Sequence, residues 1–339
     1  LNFHFINLKS KYTKYIEKIT ILAKIYDLKP ICLNLSECNG LGDLICATPT
    51  IAVLSKSYNQ PITVVSLMPE LFKMNPFVEK SYKSTSIDWG YFNEHYLIHN
   101  SFYNIGKKNE RGIEYKHNRI DIRQFHAIHL GFMLGKDEME CFYQPLTPLT
   151  IEVPEKYVLI HPVSTWESRT WKAENWMQLT ESLNDLGYNV ISIGKESSET
   201  GFFNVEKPTF SFEIEKGMNL MNKTSISDCW HLINKSHCFV TMDSGLLHLA
   251  GTTDTHIIHL GSSIKPEFRM PYRKGRQGVY KYDYVRGTCG LECASDMKYG
   301  VKQWGDIQGV PPLIKCLENK PTYECHPFVI NVLNRILEI

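Results

Sequence analysis

The pattern that most limits the possible folds is a strand, a loop, a helix and a second strand in succession, and it occurs in both halves of this 339-residue chain. In the first half, Ile31-Cys-Leu-Asn-Leu35 reads as a buried strand and Asn39-Gly-Leu-Gly-Asp43 as a glycine loop. Leu44 to Ser57 then reads as a helix and Ile62-Thr-Val-Val-Ser66 as the next strand. Strands joined through a helical crossover run parallel, and unbroken apolar strands of this kind are covered on both faces. The second half repeats the logic. Tyr157-Val-Leu-Ile-His161, Tyr188-Asn-Val-Ile-Ser-Ile193, Cys238-Phe-Val-Thr-Met242 and His256-Ile-Ile-His-Leu260 read as strands. Ala173 to Leu186, Ser227 to Ser236 and Leu246 to Gly251 read as the helices between them. Two successive series predict an α/β protein with two Rossmann-like domains facing across a cleft, where ligands sit beyond the carboxyl ends of the strands.

Pro145 to Pro154 reads as a linker, so the expected division is 1–150, 151–275, and a tail at 276–339 that carries clustered cysteines and a closing helix. Residues 9–29 place Tyr12, Tyr15, Ile16, Ile19, Leu22, Ile25 and Tyr26 at helical spacing with lysines opposite. That reads as a helix packed on its own domain in preference to a basic membrane-surface helix. From about Trp89 to Pro148 the chain is polar, rich in His and Tyr, and without clean periodicity.

Composition excludes several classes of partner. With 37 basic against 36 acidic residues there is no global attraction to nucleic acid. No apolar run reaches the length of a membrane span and no signal peptide opens the sequence. The expectation is a cytoplasmic protein with at most peripheral membrane association. Six of the ten cysteines are scattered, which suits free thiols in a reducing compartment.

The chemistry concentrates in a few loops. Val240-Thr-Met-Asp-Ser-Gly-Leu-Leu-His-Leu-Ala250 runs from a strand into a helix, so the N–H groups of Ser244 and Gly245 point where an anion such as a diphosphate is well held. Asp243 beside such an anion is better suited to sugar hydroxyls than to phosphate. His248, one turn on, either reaches the phosphate or packs between the domains. Glu196 and Glu199 follow the strand ending at Ile193, where a Rossmann-like half holds ribose. Asp43 opens the first helix behind Gly40 and Gly42, and on position alone it reads as a helix cap. The glycines would let a ligand approach the backbone. Cys289, Cys293, Cys316 and Cys325 fall within 37 positions in a tail with little hydrophobic periodicity. Their reading is a structural tetrathiolate holding zinc or iron, with His326 able to replace one thiolate; free thiols and disulfides are the alternatives.

Three stretches resemble glycosyltransferase family 9, the ADP-heptose heptosyltransferases of GT-B fold. They are Gly42-Asp-Leu-Ile-Cys-Ala-Thr-Pro49 with Ala52-Val-Leu-Ser-Lys56; His161-Pro-Val-Ser-Thr-Trp-Glu-Ser-Arg-Thr-Trp171 with Glu174-Asn-Trp-Met-Gln-Leu179; and Asp243-Ser-Gly-Leu-Leu-His-Leu-Ala250. The resemblance spans roughly residues 30–270 with the three in order. It implies that Asp43 is the catalytic base and that residues 1–150 hold the acceptor, while 151–275 hold an ADP-sugar, a heptose foremost. It implies that Ser164 and Thr165 contact phosphate. Arg169 stands where the family usually has a lysine, and would stabilise the departing diphosphate, with Lys172 as fallback. A single base on the acceptor side implies direct displacement and inversion. The cysteine tail resembles the iron finger of the autotransporter heptosyltransferases, although its spacings differ.

The expected activity is therefore inverting transfer from an ADP-sugar to an acceptor hydroxyl, on a lipopolysaccharide core or on protein serine. No catalytic metal is expected, since cationic and backbone groups cover the leaving group. A homo-oligomer is possible. The rival readings are a nucleotide-sugar epimerase and a non-catalytic nucleotide-sugar-binding protein.

Overall fold

The computed structural model describes residues 30–38, 40–86, 94–97, 120–163, 169–195, 214, 216–261, 264–273, 281–288 and 326–339. The expected helix over 9–29 lies outside them. Among the described residues the strands form two wholly parallel sheets. The first is built from β1 (Ile31–Asn34), β2 (Ile62–Ser66), β3 (Val78–Lys83) and β4 (Glu94–Leu97), in the order β3-β2-β1-β4. The second is built from β5 (Tyr157–His161), β6 (Asn189–Ser192), β7 (Met218–Asn219), β8 (Cys238–Thr241), β9 (His256–Leu260) and β10 (Tyr282–Val285). Its order is β10-β9-β8-β5-β6-β7. The central strands are buried along their length, as helices on both faces require.

The helix expected from Leu44 to Ser57 is in fact two, α1 (Leu41–Cys46) and α2 (Thr48–Tyr58). The reason is Pro49, which lacks the N–H that would bond to the Ile45 carbonyl. Thr48 Oγ1 donates to that carbonyl instead, at 2.7 Å, and accepts the Phe142 N–H at 2.9 Å. One threonine thus closes the break and ties it to a segment nearly a hundred residues on. Asn59, left-handed at φ 51°, ends α2.

Helix α3 (Ile122–His129), within the stretch that lacked clean periodicity, is capped by Asp121, whose carboxylate accepts the Arg123 N–H at 2.8 Å and also pairs with the Arg123 guanidinium. Residues 143–147 are fastened to α5 (Ile226–Lys235): Ser227 Oγ accepts from the Leu146 N–H and bonds the Tyr143 hydroxyl, and the Thr147 carbonyl meets the His231 ring.

One apolar core runs through both halves. It joins Leu33, Ile45, Ile51 and Phe72 to Leu159, Leu232, Phe239 and Leu247. The other face of the second sheet packs under α4 (Ala173–Asp185) and α7 (Val329–Leu337), with Trp171, Trp176, Leu179, Val332 and Ile336 buried there. Trp171 meets Trp176 edge-on at 4.9 Å between ring centroids and donates its indole N–H to the Pro327 carbonyl at 3.0 Å. Burying each of the three α7 side chains Val329, Val332 and Ile336 stabilises the fold by about 1.5–3 kcal/mol. No described helix is long and apolar enough to cross a membrane.

Candidate active site

Strand order builds the charge arrangement. Strands β9, β8 and β5 are neighbours, and the segments after their carboxyl ends carry Arg269, Asp243 and Arg169 respectively. The acid therefore sits between the two bases. Asp243 Oδ2 lies 3.4 Å from Arg169 Nε and 3.6 Å from Arg269 Nε. The Asp243 and Arg269 side chains are 2% exposed and the Arg169 side chain 13%, so of the two cations Arg169 keeps the wider opening to solvent. Burial alone would raise the Asp243 pKa; the two guanidinium groups overcome it, and the carboxyl titrates below its usual range. Burial pulls Arg169 down to about 10 despite both nearby carboxylates.

From the other half, α1 brings Asp43 to this cluster. The short helix packs against α6 (Gly245–Ala250), and the contact depends on two glycines. A Cβ on Gly245 would stand 2.9 Å from the Leu41 Cβ and 3.2 Å from the Gly42 nitrogen. A Cβ on Gly42 would meet the His248 ring at 2.8 Å. A side chain at either position would push the halves apart. Gly40 has a different duty. Its N–H donates to the Asp43 carboxylate, and a Cβ there would lie 2.6 Å from Asp43 Oδ2.

Asp43 is thus held from behind by the start of its own helix, as a cap would be, and it also faces charges from the opposite half. Desolvation pushes its pKa up to about 6, against the lowering pull of Arg269 and then Arg169. The half-buried carboxyl is ionised at neutral pH and still basic enough to take a proton.

The surrounding imidazoles are neutral. His248 and His126 are held down to about 3, and His161 and His259 to about 4, in each case chiefly by burial. His259 bonds the Tyr282 hydroxyl through Nδ1 at 2.7 Å. Ser244 caps α6 by accepting the Leu247 N–H, and its hydroxyl also meets Thr241 Oγ1 and His161 Nδ1, each at 3.2 Å.

The expected site residues Asp43, Gly40, Gly42, Arg169, Asp243, Ser244, Gly245 and His248 are therefore brought into one neighbourhood. Lys172 is exposed at the N-cap of α4. Ser164, Thr165, Glu196 and Glu199 lie outside the described residues, as do Cys289, Cys293, Cys316 and Cys325. His326 is described, and its Nδ1 bonds the Gly261 carbonyl at 3.0 Å. Among the described residues no group of three or more His, Cys, Asp or Glu comes together to hold a metal. Arg269 was not anticipated from sequence. Its one signal is its place in a loop after a strand's carboxyl end.

The model of glycosyltransferase family 9 (heptosyltransferase) matches residues 124–291, which include Arg169, Asp243, His248 and Arg269. Over those residues the chain is similar to glycosyltransferase family 9. It is 27% identical over 104 residues to lipooligosaccharide heptosyltransferase 2 of Haemophilus influenzae, a match covering 31% of this chain and 30% of that relative. Its fold is similar to the family 9 glycosyltransferase of Veillonella parvula, with TM-score 0.56, 15% identity, and coverage of 86% and 96% of the two chains. It is also similar to the dodecameric iron-containing heptosyltransferase TibC of enterotoxigenic E. coli, solved in complex with ADP-D-beta-D-heptose. There the TM-score is 0.55 at 18% identity, covering 75% of this chain and 64% of that one. The α/β architecture with two parallel sheets is that of the GT-B heptosyltransferases.

Proposed function

We propose that this chain is a family 9 glycosyltransferase that transfers a heptose from ADP-heptose to an acceptor hydroxyl with inversion. The observation that carries the reading is the approach of Asp43, from one half, to the Arg169–Asp243–Arg269 cluster of the other, across the Gly42–Gly245 contact. A glycosyl transfer needs a base for the incoming alcohol and cationic compensation for the departing diphosphate, and it needs them on opposite sides of one sugar. Asp43 takes the acceptor proton as the new bond to the anomeric carbon forms and the bond to diphosphate breaks. Arg169, the more exposed arginine, draws the charge that develops on the leaving oxygen. With one carboxylate on the acceptor side, the displacement is direct and the anomeric configuration inverts.

In this reading the half carrying β1 to β4 receives the acceptor, and the half carrying β5 to β10 receives the donor, with Ser164, Thr165 and one of Glu196 and Glu199 completing the nucleotide site. Asp243, engaged by two guanidinium groups, acts on Arg169 more directly than on the sugar. Protein serine and a lipid-linked saccharide are the acceptor classes to compare, and the four tail cysteines are assigned a structural iron or zinc, to be tested by metal analysis. The chain is assigned to the cytoplasm.

The deciding experiment is a thermal-shift panel of ADP-, GDP- and UDP-sugars followed by an ADP-release assay with each acceptor class. A donor present at a hundred times its Kd raises stability by about 2.7 kcal/mol, so selective binding is readable as a shift in Tm. The reading predicts stabilisation by ADP-heptose above the others, and acceptor-dependent ADP release that is lost in Asp43→Ala while binding persists. Equal ADP release by the variant and the unaltered chain overturns the role of Asp43 and leaves a binding protein.

A further inference from the structure

We propose that Arg269 is a positioning residue that holds the Asp243 carboxylate so that Arg169 is released to the donor diphosphate. The inference rests on the diphosphate-binding reading above and adds to it a residue that no sequence motif contains.

The geometry is an internal competition. One oxygen, Asp243 Oδ2, lies between two guanidinium nitrogens at 3.4 and 3.6 Å. Both distances exceed a good hydrogen bond, so Oδ2 attracts both guanidinium groups without a close hydrogen bond to either Nε. The two arginines differ in what else they can reach. Arg169 is 13% exposed, and Arg269 is sealed at 2%. A diphosphate arriving in the cleft can therefore recruit Arg169 and cannot readily recruit Arg269.

Arg269 is also braced on both sides. Its Nη1 donates to the Phe268 carbonyl at 3.0 Å, and the Met270 carbonyl that follows accepts from Arg123 of α3 at 2.9 Å. The segment is thus anchored to the half that carries Asp43, while Arg269 itself reaches Asp243 of the other half. When Arg169 turns to the phosphate, Asp243 would be left as a buried anion without compensation, a costly state in a low-dielectric interior. Arg269 prevents that. Without it, Asp243 would keep Arg169, and the donor would have to break a buried ion pair to bind.

The test is a double-mutant cycle on ADP affinity, measured by calorimetry on the full chain, with ADP chosen because it lacks the sugar. Arg269→Gln is expected to weaken ADP binding about tenfold in the presence of Asp243, and to cost less than about twofold when Asp243→Asn is already in place. Asp243→Asn alone is expected to bind ADP more tightly than the unaltered chain, since it frees Arg169. Arg269→Lys, which keeps the charge, is expected to recover most of the loss. An equal penalty for Arg269→Gln in both backgrounds would mean that Arg269 attracts phosphate directly, and overturns the proposal. So does weaker ADP binding by Asp243→Asn, a single variant that keeps the test intact should Arg269→Gln fail to fold. Absence of ADP binding by the unaltered chain overturns the nucleotide reading itself, and this inference with it.

Discussion

The backbones of Gly42 and Gly245 touch: a Cβ on Gly245 would stand 3.2 Å from the Gly42 nitrogen. Gly42 precedes Asp43 in α1 and Gly245 opens α6 just after Asp243 and Ser244, so the closeness of Asp43 to the Arg169–Asp243–Arg269 cluster depends on neither glycine having a side chain. Gly245→Ala is expected to destabilise the fold by about 2 kcal/mol, as overpacking at a tight contact does. It is also expected to lower transfer more than stability alone explains. Comparing the urea midpoint with kcat/KM in the same variant checks both.

The pH dependence of transfer should carry the signature of Asp43. Its pKa near 6 predicts a rate that falls tenfold per unit below about pH 6. The neighbouring imidazoles titrate at about 3 to 4 and so contribute nothing to that limb. Asp43→Asn should lower kcat by about 10²- to 10⁴-fold, the usual range for a lost general base, with the donor KM little changed. A limb that survives at pH 6 with Arg169 and Arg269 intact, after removal of the Asp43 carboxyl from a still-active variant, would assign it elsewhere.

Arg169→Ala should cost about 3–4 kcal/mol of transition-state stabilisation, a drop of about 10²- to 10³-fold in kcat. Arg169→Lys should recover part of it, because charge is kept while the planar fork is lost. A steady-state comparison of the three proteins decides.

Stability should fall on acidification for a separate reason. His126, His161, His248 and His259 are buried neutral with depressed folded values, so each contributes stability that is present above about pH 6.5 and lost as pH falls toward its folded value. Asp43 runs the other way. Its raised value gives stability at low pH that is lost between its ordinary value of 3.8 and about 6. Four groups outweigh one, and chemical denaturation at pH 7 and pH 5 should differ by a few kcal/mol in favour of pH 7.

Thr48→Val should destabilise by about 2 kcal/mol, because it strands the Ile45 carbonyl and the Phe142 N–H together. Its effect on melting temperature should exceed that of Thr→Val at an exposed helix position.

The strands that could be read from the sequence share one property with respect to their sheets. β1, β2, β5, β6, β8 and β9 are interior, and their apolar runs announced them. The four that gave no such signal, β3, β4, β7 and β10, are the edges. An edge strand needs fewer apolar residues, and in Val78-Glu-Lys-Ser-Tyr-Lys83 only Val78 and Ser81 are even partly buried. The site divides similarly. Asp43, Asp243 and Gly245 stand in local strand–loop–helix patterns, whereas Arg269 matters only because β9 lies beside β8, a long-range fact that no short window contains. The break at Ala47 was legible in principle, since Pro49 stood in the expected helix.

The indole of Trp171 is fixed by the carbonyl of Pro327, and Trp171 is two residues beyond Arg169. The backbone just after Arg169 is therefore tied to a segment synthesised some 150 residues later. During translation the half carrying β1 to β4 can fold and α1 can form while Trp171 still has no anchor. Full rigidity beside Arg169 should then appear only once the later segment has emerged and docked.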